Sequence, residues 1–426
     1  MKESHAEGQL GFSQKQYILG RREKTNEGAL NIGKYYALDG SLGASVYLDA
    51  LRPHMIFICG KRGYGKSYTI GVFLEEISEL ADTIKQHLSV IVLDTLGVFW
   101  STQFPSDGTT GNLIQWGLKP KGFPLRLFAP VCSMRNYSKT DISVERFCLR
   151  IAELSPLHWC QLFEVKVTDP IGVALTRVIL TLQSKSQDFS IAEILSLIRR
   201  DDRMENSVKC AMENFFFMAE SWGIFDKHGL SISDIALPAS LTILDLSVLP
   251  NPALKDIVVA ILSEKIFEER VLSRKIYEQK KMGFMIKEKE IPLVWLAVDE
   301  AQLFVPYGKK TLSKEVLIES WMRQGRQPGL SLILATQRPG AVEPEVLSHC
   351  DIIICHRLTA QDDIDALRQI RPIYMHGEIG ESIKKIGSEK GVALLVDDTS
   401  ESVHVIQMHP RVSWHGGAEP VINSEI

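Results

Sequence analysis

The chain has 426 residues, of which 45% are hydrophobic, 23% charged and 8% aromatic. This balance excludes a collagen-like or wholly disordered protein, and the length predicts two or three folded units at roughly 100–200 residues each. The net charge of −4 excludes a protein that coats nucleic acid through an overall positive charge, so any DNA site must be a local basic surface.

Neither a membrane helix nor a secretory signal is visible in the sequence. No apolar stretch reaches the roughly 18–20 residues that a membrane helix needs, and the first residues contain no apolar signal core. We therefore expect a cytoplasmic protein without a membrane partner. The seven cysteines are scattered and form no Cys-x-x-Cys pair. We expect them to be reduced thiols in the core.

Residues 1–50 contain short Gly- and Tyr-rich segments that predict a short N-terminal β segment. Beyond them, short apolar runs that end in a polar residue recur, and helical periodicity lies between the runs. The runs are MIFIC, VIVLD, LTILDL, LVWLAVDE, LSLILATQ, DIIIC, VALLV and VHVIQM. Such runs are typical of strands buried on both faces, so the alternation predicts an α/β doubly wound core with a mostly parallel sheet.

The stretch 140–238 differs from the rest, because it has helical spacing and charged punctuation and only one run, VALTRVILTL, that resembles a strand. We interpret it as an inserted helical subdomain. It divides the α/β core into residues 51–139 and 239–410, and residues 411–426 form a C-terminal tail.

The first motif is GKRGYGKS, which lies directly after MIFIC and directly before an amphipathic helix. It matches the phosphate-binding loop (P-loop) pattern G-x-x-x-x-G-K-[ST], whose glycines let backbone N–H groups converge on phosphate oxygens. Lys66 is predicted to bridge the β- and γ-phosphates and Ser67 to ligate Mg²⁺. The predicted nucleotide contacts are Gly60, Lys61, Arg62, Gly63, Tyr64, Gly65, Lys66, Ser67 and Tyr68.

The second motif is the pair Asp299 and Glu300 at the end of an apolar run, where doubly wound sheets bind their ligands. Asp299 is predicted to hold Mg²⁺ through water, and Glu300 to orient and polarise the attacking water. The alternative for the pair alone is a solvated acidic strand end. A glutamate beside the metal-binding aspartate, with VIVLD between the two motifs, resembles the additional-strand, catalytic-glutamate branch of P-loop ATPases.

Two further features lie downstream. Gln337 ends the run LSLILATQ and is predicted to contact the γ-phosphate and report its loss, the alternative being a polar strand end. Arg323 and Arg326 flank a glycine at the end of a predicted helix. At least one of them is predicted to reach the γ-phosphate of a neighbouring subunit as an arginine finger, the alternative being a basic helix C-terminus.

The ordered set GKRGYGKS, LDTLG, LTILDLS, WLAVDEAQLFVP, MRQGRQPGLSLILATQRP and HPRVSWHGG resembles the HerA family of the HerA/FtsK ATPases over roughly residues 40–418. The resemblance implies a RecA-like domain with a helical insertion, assembled as a homo-hexameric ring that translocates double-stranded DNA on ATP hydrolysis. It also implies a partner nuclease of the NurA type, in end resection or antiphage defence. By motif match, Lys66, Ser67, Asp299, Glu300 and Gln337 take the nucleotide roles, and Arg323 or Arg326 the finger.

Three departures from the family pattern stand out. The segment before the P-loop is short, which puts the usual N-terminal barrel and its nuclease docking in doubt. LDTLG lacks the acidic residue that usually follows at close range, and the P-loop carries Lys61, Arg62 and Tyr64 where small residues are commoner.

Two basic segments are candidates for DNA contact, because phosphates bind lysines in a confined surface. The first is residues 270–289, with Lys280, Lys281, Lys287 and Lys289, and the second follows the Asp-Glu pair, with Lys309, Lys310 and Lys314. Either could instead be an ordinary solvated surface.

Together these features predict a ring-forming ATPase that couples Mg²⁺-ATP hydrolysis to DNA translocation. The alternative is an ATP-gated hexameric scaffold that activates an effector without moving on DNA. Membrane-tethered DNA pumps come third, because no membrane segment is visible.

Overall fold

The computed structural model describes residues 18–22, 25–37, 39–107, 112–137, 139, 142–249, 251–370 and 389–417. The rest of the predicted N-terminal β segment and of the C-terminal tail lies outside these ranges. The strands in the described ranges are β1 (Ile18–Leu19), β2 (Ala29–Tyr36), β3 (Leu42–Asp49), β4 (Met55–Cys59), β5 (Leu88–Asp94), β6 (Arg126–Ala129), β7 (Val144–Arg146), β8 (Leu149–Arg150), β9 (Phe225–Asp226), β10 (Ser240–Asp245), β11 (Leu293–Val298), β12 (Leu330–Thr336), β13 (Ile352–His356), β14 (Val392–Asp397) and β15 (Ser402–Met408).

The α-helices lie between these strands, and most of them fall before β10 or after β11. They are α1 (Lys66–Glu79), α2 (Asp82–Lys85), α3 (Asn112–Gln115), α4 (Pro156–Leu162), α5 (Pro170–Lys185), α6 (Ile191–Arg200), α7 (Asn206–Ser221), α8 (Ile232–Ile235), α9 (Pro252–Lys281), α10 (Leu312–Glu315), α11 (Pro344–His349) and α12 (Gln361–Ile370). Among the helices of the described residues, none is both long and apolar enough to cross a bilayer.

Thirteen strands form one sheet in the order β1-β3-β2-β15-β14-β13-β4-β12-β11-β5-β10-β6-β7. All strands from β13 to β7 in this order are parallel to one another. Strands β14, β15, β2 and β3 continue the sheet in antiparallel pairing. The predicted α/β class with a large, mostly parallel sheet is confirmed, and each of the eight apolar runs lies in a strand.

The apolar runs of β4, β5, β12, β13 and β14 are buried on both faces because helices cover both sides of the sheet, whereas β15 is mostly half-buried. Ile56 and Ile58 of β4 pack in a cluster with Ile70 and Phe73 of α1. The alternate residue Phe57 packs on the opposite side, in a cluster that also contains α9 and the helices between residues 156 and 235. Adjacent strand residues thus face different layers, and the sheet lies between them.

The cysteines are partly where the sequence predicts them. All seven are unpaired, and Cys59, Cys148, Cys160, Cys350 and Cys355 are buried. The expectation of a core position is wrong for Cys132 and Cys210, which are exposed. Cys132 lies in the turn after β6 and Cys210 at an exposed position of α7, so both lie outside the apolar runs of the sheet.

Buried charges join the N-terminal strands to the core at the edge of the sheet where the parallel strands begin, the amino edge. His54 is 2% exposed, its Nδ1 lies 2.6 Å from Asp351 Oδ2, and its Nε2 lies 3.5 Å from Asp49 Oδ2. Arg21 pairs with Asp49 at 3.2 Å. Burial alone would lower the pKa of His54, but the two carboxylates more than offset it and raise that pKa to about 9.

This network predicts a pH dependence of stability. Because the folded-state pKa of His54 lies above its unfolded value of 6.5, its contribution is fully present below pH 6.5 and is lost as the pH rises to 9. The shift corresponds to roughly 3 kcal/mol. Urea unfolding should show this loss in the wild type and not in His54→Gln, whereas His87→Gln, at an exposed site, should keep it. Equal pH profiles for wild type and His54→Gln would contradict the assignment.

Candidate nucleotide site

The predicted nucleotide residues converge at the edge of the sheet where the parallel strands end, the carboxyl edge. The P-loop follows β4, Asp299 and Glu300 follow β11, and Gln337 follows β12. The strand that separates β4 from β11 is β12. The run VIVLD lies in β5 on the far side of β11, so it intervenes in sequence but not in the sheet.

The P-loop has the backbone conformation that its glycines allow. Gly65 has φ 121° directly before the first residue of α1, and Gly60 has φ 156°. A Cβ at Gly60 would lie 2.6 Å from the His356 side chain, so only glycine fits against β13 there. The loop therefore leads from β4 into the N-terminus of α1, the end of a helix that favours a phosphate. Three of its backbone N–H groups, those of Gly60, Lys61 and Tyr64, donate to the carbonyl oxygens of Thr336, Arg357 and Lys61.

Lys66 is the first residue of α1 and is only 6% exposed. Its Nζ lies 3.3 Å from the Lys61 carbonyl oxygen. Burial lowers the pKa of Lys66, and the nearby carboxylates of Asp299 and Glu300 oppose that effect. Lys61 and Arg62 of the loop are exposed.

Ser67 and Asp299 lie side by side, as two ligands of one cation would. Ser67 Oγ donates a hydrogen bond to Asp299 Oδ2 at 2.7 Å, and the Glu300 backbone N–H donates to Asp299 Oδ1 at 2.8 Å. Burial raises the pKa of Asp299 and the Glu300 carboxylate adds to the effect, while the Ser67 hydroxyl, the Glu300 N–H and Lys66 oppose it. A hydroxyl and a buried carboxylate are the oxygen ligands that Mg²⁺ prefers, so the donor set fits this cation.

Glu300 is held by two amide side chains. Its backbone is left-handed, with φ 54° and ψ 46°. Gln337 Nε2 donates to its Oε1, and Gln302 Nε2 donates to its Oε2 at 2.5 Å. The structure thus brings the predicted Gln337 to Glu300. It also brings Gln302 there, a residue that no sequence motif marks although it lies only two positions after Glu300.

Two residues at the end of β13 support the P-loop from the side opposite β12. His356 is fully buried, and its ring nitrogens lie 2.8 Å from Thr69 Oγ1 and 3.1 Å from the Val392 carbonyl oxygen. Burial lowers its pKa to about 4, so it is neutral at pH 7. Arg357 lies over the Tyr64 ring and donates to its hydroxyl at 3.2 Å. Neither residue is marked by the sequence alone, because only the pairing of β13 with β4 places them beside the P-loop.

Asp94 and Asp245 continue the carboxyl edge beyond β11, since they end β5 and β10, the next two strands of the sheet. Asp94 accepts backbone hydrogen bonds from Leu96, Gly97 and Phe99. Burial raises its pKa to about 7, with Asp245 adding to the effect and the Phe99 N–H opposing it. Asp94 thus closes the turn after β5. This role of the LDTLG motif needs no second acidic residue.

Tyr68 faces the C-terminal residues. Its hydroxyl accepts a hydrogen bond from the Arg411 backbone N–H at 2.5 Å, and its ring contacts that of His415 edge to face at 5.3 Å. Arg411 is buried and also pairs with Glu75 of α1 at 2.8 Å. The HPRVSWHGG segment therefore packs on α1, and a contact between Tyr68 and a nucleotide stays a prediction.

The two candidate finger arginines differ in their surroundings. They follow a π-helix, Val316–Met322, a geometry that is frequent at functional sites. Arg323 pairs with Glu319 and Glu345, each at 2.5 Å. Arg326 is exposed, and among the residues described above it has no hydrogen bond or ion pair. Arg326 is therefore the arginine whose guanidinium group stays available among the described residues, and a contact with a neighbouring subunit stays a prediction.

The two basic segments lie at opposite edges of the sheet. Lys280, Lys281, Lys287 and Lys289 surround the end of α9 and the loop before β11, at the amino edge, and Lys280 pairs there with Glu290 at 3.1 Å. Lys309 and Lys310 are exposed in the loop after β11, at the carboxyl edge. Lys314 forms an ion pair with Glu343 at 2.5 Å.

The fold is similar to that of two solved structures. VirB4 of Thermoanaerobacter pseudethanolicus is 15% identical, with a TM-score of 0.52, over 90% of this chain and 97% of that chain. The bacterial conjugative coupling protein TrwBdeltaN70 is 11% identical, with a TM-score of 0.50, over 94% of this chain and 92% of that one. No curated protein matches the chain in sequence.

A family comparison covers the first part of the site. The sequence model described as "Helicase HerA, central domain" matches residues 30–266, more than half of the chain. The match includes the P-loop and ends before Asp299 and Gln337, which the structure nevertheless places beside the P-loop. The chain therefore belongs to the HerA helicase family, and it is a P-loop ATP hydrolase.

Proposed function

We propose that the protein is a ring-forming ATPase that couples Mg²⁺-ATP hydrolysis to translocation on double-stranded DNA. The observation that supports it best is the buried constellation at the carboxyl edge, where Ser67 and Asp299 are 2.7 Å apart and both carboxylate oxygens of Glu300 are held by amides. These are the parts that phosphoryl transfer to water requires.

Each residue has a distinct role in the proposed reaction. The P-loop N–H groups and Lys66 hold the β- and γ-phosphates, while Ser67 and Asp299 hold Mg²⁺, which offsets the charge that develops on the phosphates. Glu300 orients the attacking water, and Gln337 exchanges its contact with Glu300 for one with the γ-phosphate. Arg326 of a neighbouring subunit completes the site, so hydrolysis depends on assembly of a homo-hexamer.

We place the DNA contact on Lys309 and Lys310. Their loop follows Glu300 directly and lies at the same edge of the sheet as the nucleotide, so a change at the γ-phosphate can move it. A hydrogen bond also connects this loop to the segment that follows β12, since the Tyr307 N–H donates to the Ala341 carbonyl oxygen at 2.9 Å. Among the described residues, no hydrogen bond links the lysines of the amino edge to the predicted nucleotide residues, and Lys280 bonds to Glu288 and Glu290.

The test is the ATPase rate with increasing lengths of duplex DNA at low salt. We expect duplex DNA to raise the rate and salt to weaken binding steeply, by roughly 0.9 log units per phosphate contact for each log unit of salt. Lys309→Ala/Lys310→Ala should lose most of the stimulation. Lys287→Ala/Lys289→Ala is the matched control, because it removes the same charge at the opposite edge.

The possible outcomes separate the alternatives. Loss of stimulation only in the Lys287→Ala/Lys289→Ala protein would move the DNA contact to the amino edge. A rate indifferent to DNA at every length would contradict translocation and favour the ATP-gated scaffold. We further propose, from the family resemblance, that the ring works with a nuclease or other effector subunit in end resection or antiphage defence.

A further inference from the structure

A chain of hydrogen bonds connects Glu300 to β12 through residues that the proposed reaction does not use. The Arg338 backbone N–H donates to Thr336 Oγ1 at 3.1 Å, and the Thr336 hydroxyl donates to Gln302 Oε1 at 2.6 Å. Gln302 Nε2 then donates to Glu300 Oε2 at 2.5 Å. The chain ends on the carboxylate that is proposed to orient water.

The hydrogen bonds of this chain can run in only one direction, from Arg338 towards Glu300. An ionised Glu300 carboxylate can only accept, so the Gln302 NH₂ group must face it and the Gln302 carbonyl oxygen must face Thr336. An amide oxygen can only accept, so the Thr336 hydroxyl donates its single proton to Gln302 and accepts from the Arg338 N–H. Thr336 is fully buried, so water does not replace its hydroxyl. Successive bonds in one direction polarise and strengthen each other.

The two amides that hold Glu300 are held differently themselves. Gln302 is bound at both its oxygen and its nitrogen. Gln337, by contrast, has Glu300 as its only hydrogen-bond partner among the described residues. Gln337 can therefore turn to a γ-phosphate, whereas Gln302 stays in place and keeps the carboxylate oriented.

We infer that Gln302 and Thr336 are positioning residues that hold the Glu300 carboxylate in its water-orienting geometry through the catalytic cycle. The inference rests on the proposed role of Glu300. The left-handed backbone of Glu300 is sparsely populated by residues with side chains, so its conformation has to be stabilised by such neighbours.

The experiment measures kcat and ATP affinity for Gln302→Leu, Thr336→Val, the double variant and Thr336→Ser. Each of the first two should lower kcat by about tenfold and leave the Kd of a fluorescent ATP analogue within about twofold of wild type, because a misplaced carboxylate affects only the hydrolysis step. The double variant should lose no more than either single one, since both interrupt the same chain. Thr336→Ser keeps the hydroxyl and should retain nearly wild-type kcat.

Several results would overturn the inference. Wild-type kcat in Gln302→Leu, or a loss of about 100-fold in the double variant, would show that the residues do not act through one chain. An equal loss in Thr336→Val and Thr336→Ser, or a parallel loss of ATP binding, would show a packing role instead. Because valine has the shape of threonine, the Thr336 pair decides the question if Gln302→Leu does not fold.

Glu300→Gln separates this inference from the proposed function. If Glu300→Gln keeps wild-type turnover, the role of Glu300 is wrong and the inference falls with it. If Glu300→Gln loses turnover while Gln302→Leu and Thr336→Val retain it, only the positioning role is wrong. Adding Gln302→Leu to Glu300→Gln should cause no further loss.

Discussion

Replacing Glu300 by glutamine should leave ATP binding intact and slow hydrolysis by roughly 10²–10⁴-fold, the usual contribution of a positioned general base. Glutamine keeps the size of the side chain but removes the carboxylate that orients and polarises water. Its NH₂ group would also face the NH₂ group of Gln302 or Gln337, which now donate to Glu300. Phosphate release and the Kd of a fluorescent ATP analogue measure the two effects separately.

Lys66→Ala provides the contrast for Glu300→Gln. Removing the buried ammonium takes away the charge that holds the β- and γ-phosphates, so binding should weaken together with turnover. Glu288→Gln alters an exposed carboxylate at the amino edge and should change neither quantity. Wild-type turnover in Glu300→Gln would exclude Glu300 as the water-orienting residue.

Arg326→Ala should assemble and bind ATP like the wild type but lose hydrolysis by roughly 10³–10⁵-fold, the range that arginine fingers contribute in P-loop enzymes. The reason is that Arg326 is exposed and free of partners among the described residues, so its charge is available to a neighbour's γ-phosphate. Arg323→Ala should have a smaller effect, because Arg323 already pairs with Glu319 and Glu345. The reverse order of effects would identify Arg323 as the finger.

Much of the fold could be predicted from the sequence, because burial on both faces leaves a continuous apolar run. β4, β5 and β12 are of this kind. The direction of β14 and β15 could not be predicted, since an apolar run reads the same in parallel and antiparallel pairing. VALTRVILTL resembles a strand but lies in α5, where Ala174, Leu175, Val178 and Ile179 are buried at helical spacing.

The residues of the candidate site also fall into those that the sequence predicts and those that it does not. The P-loop is a contiguous motif whose function requires residues at fixed spacing, so it is visible in one segment of sequence. The roles of Gln302, His356 and Arg357 depend on contacts with residues that are distant in sequence. Only the order of the strands in the sheet brings those contact partners together. The partners of Arg323 likewise come from two different helices.

Mixing two inactive variants tests most directly whether a neighbouring subunit completes the active site, as we propose. Arg326→Ala retains Glu300, and Glu300→Gln retains Arg326, so some interfaces of a mixed ring contain both. In an equal mixture about a quarter of the interfaces should be complete, and a corresponding part of the wild-type ATPase rate should return. If the mixture stays as inactive as its two components, the site does not take its arginine from a neighbour.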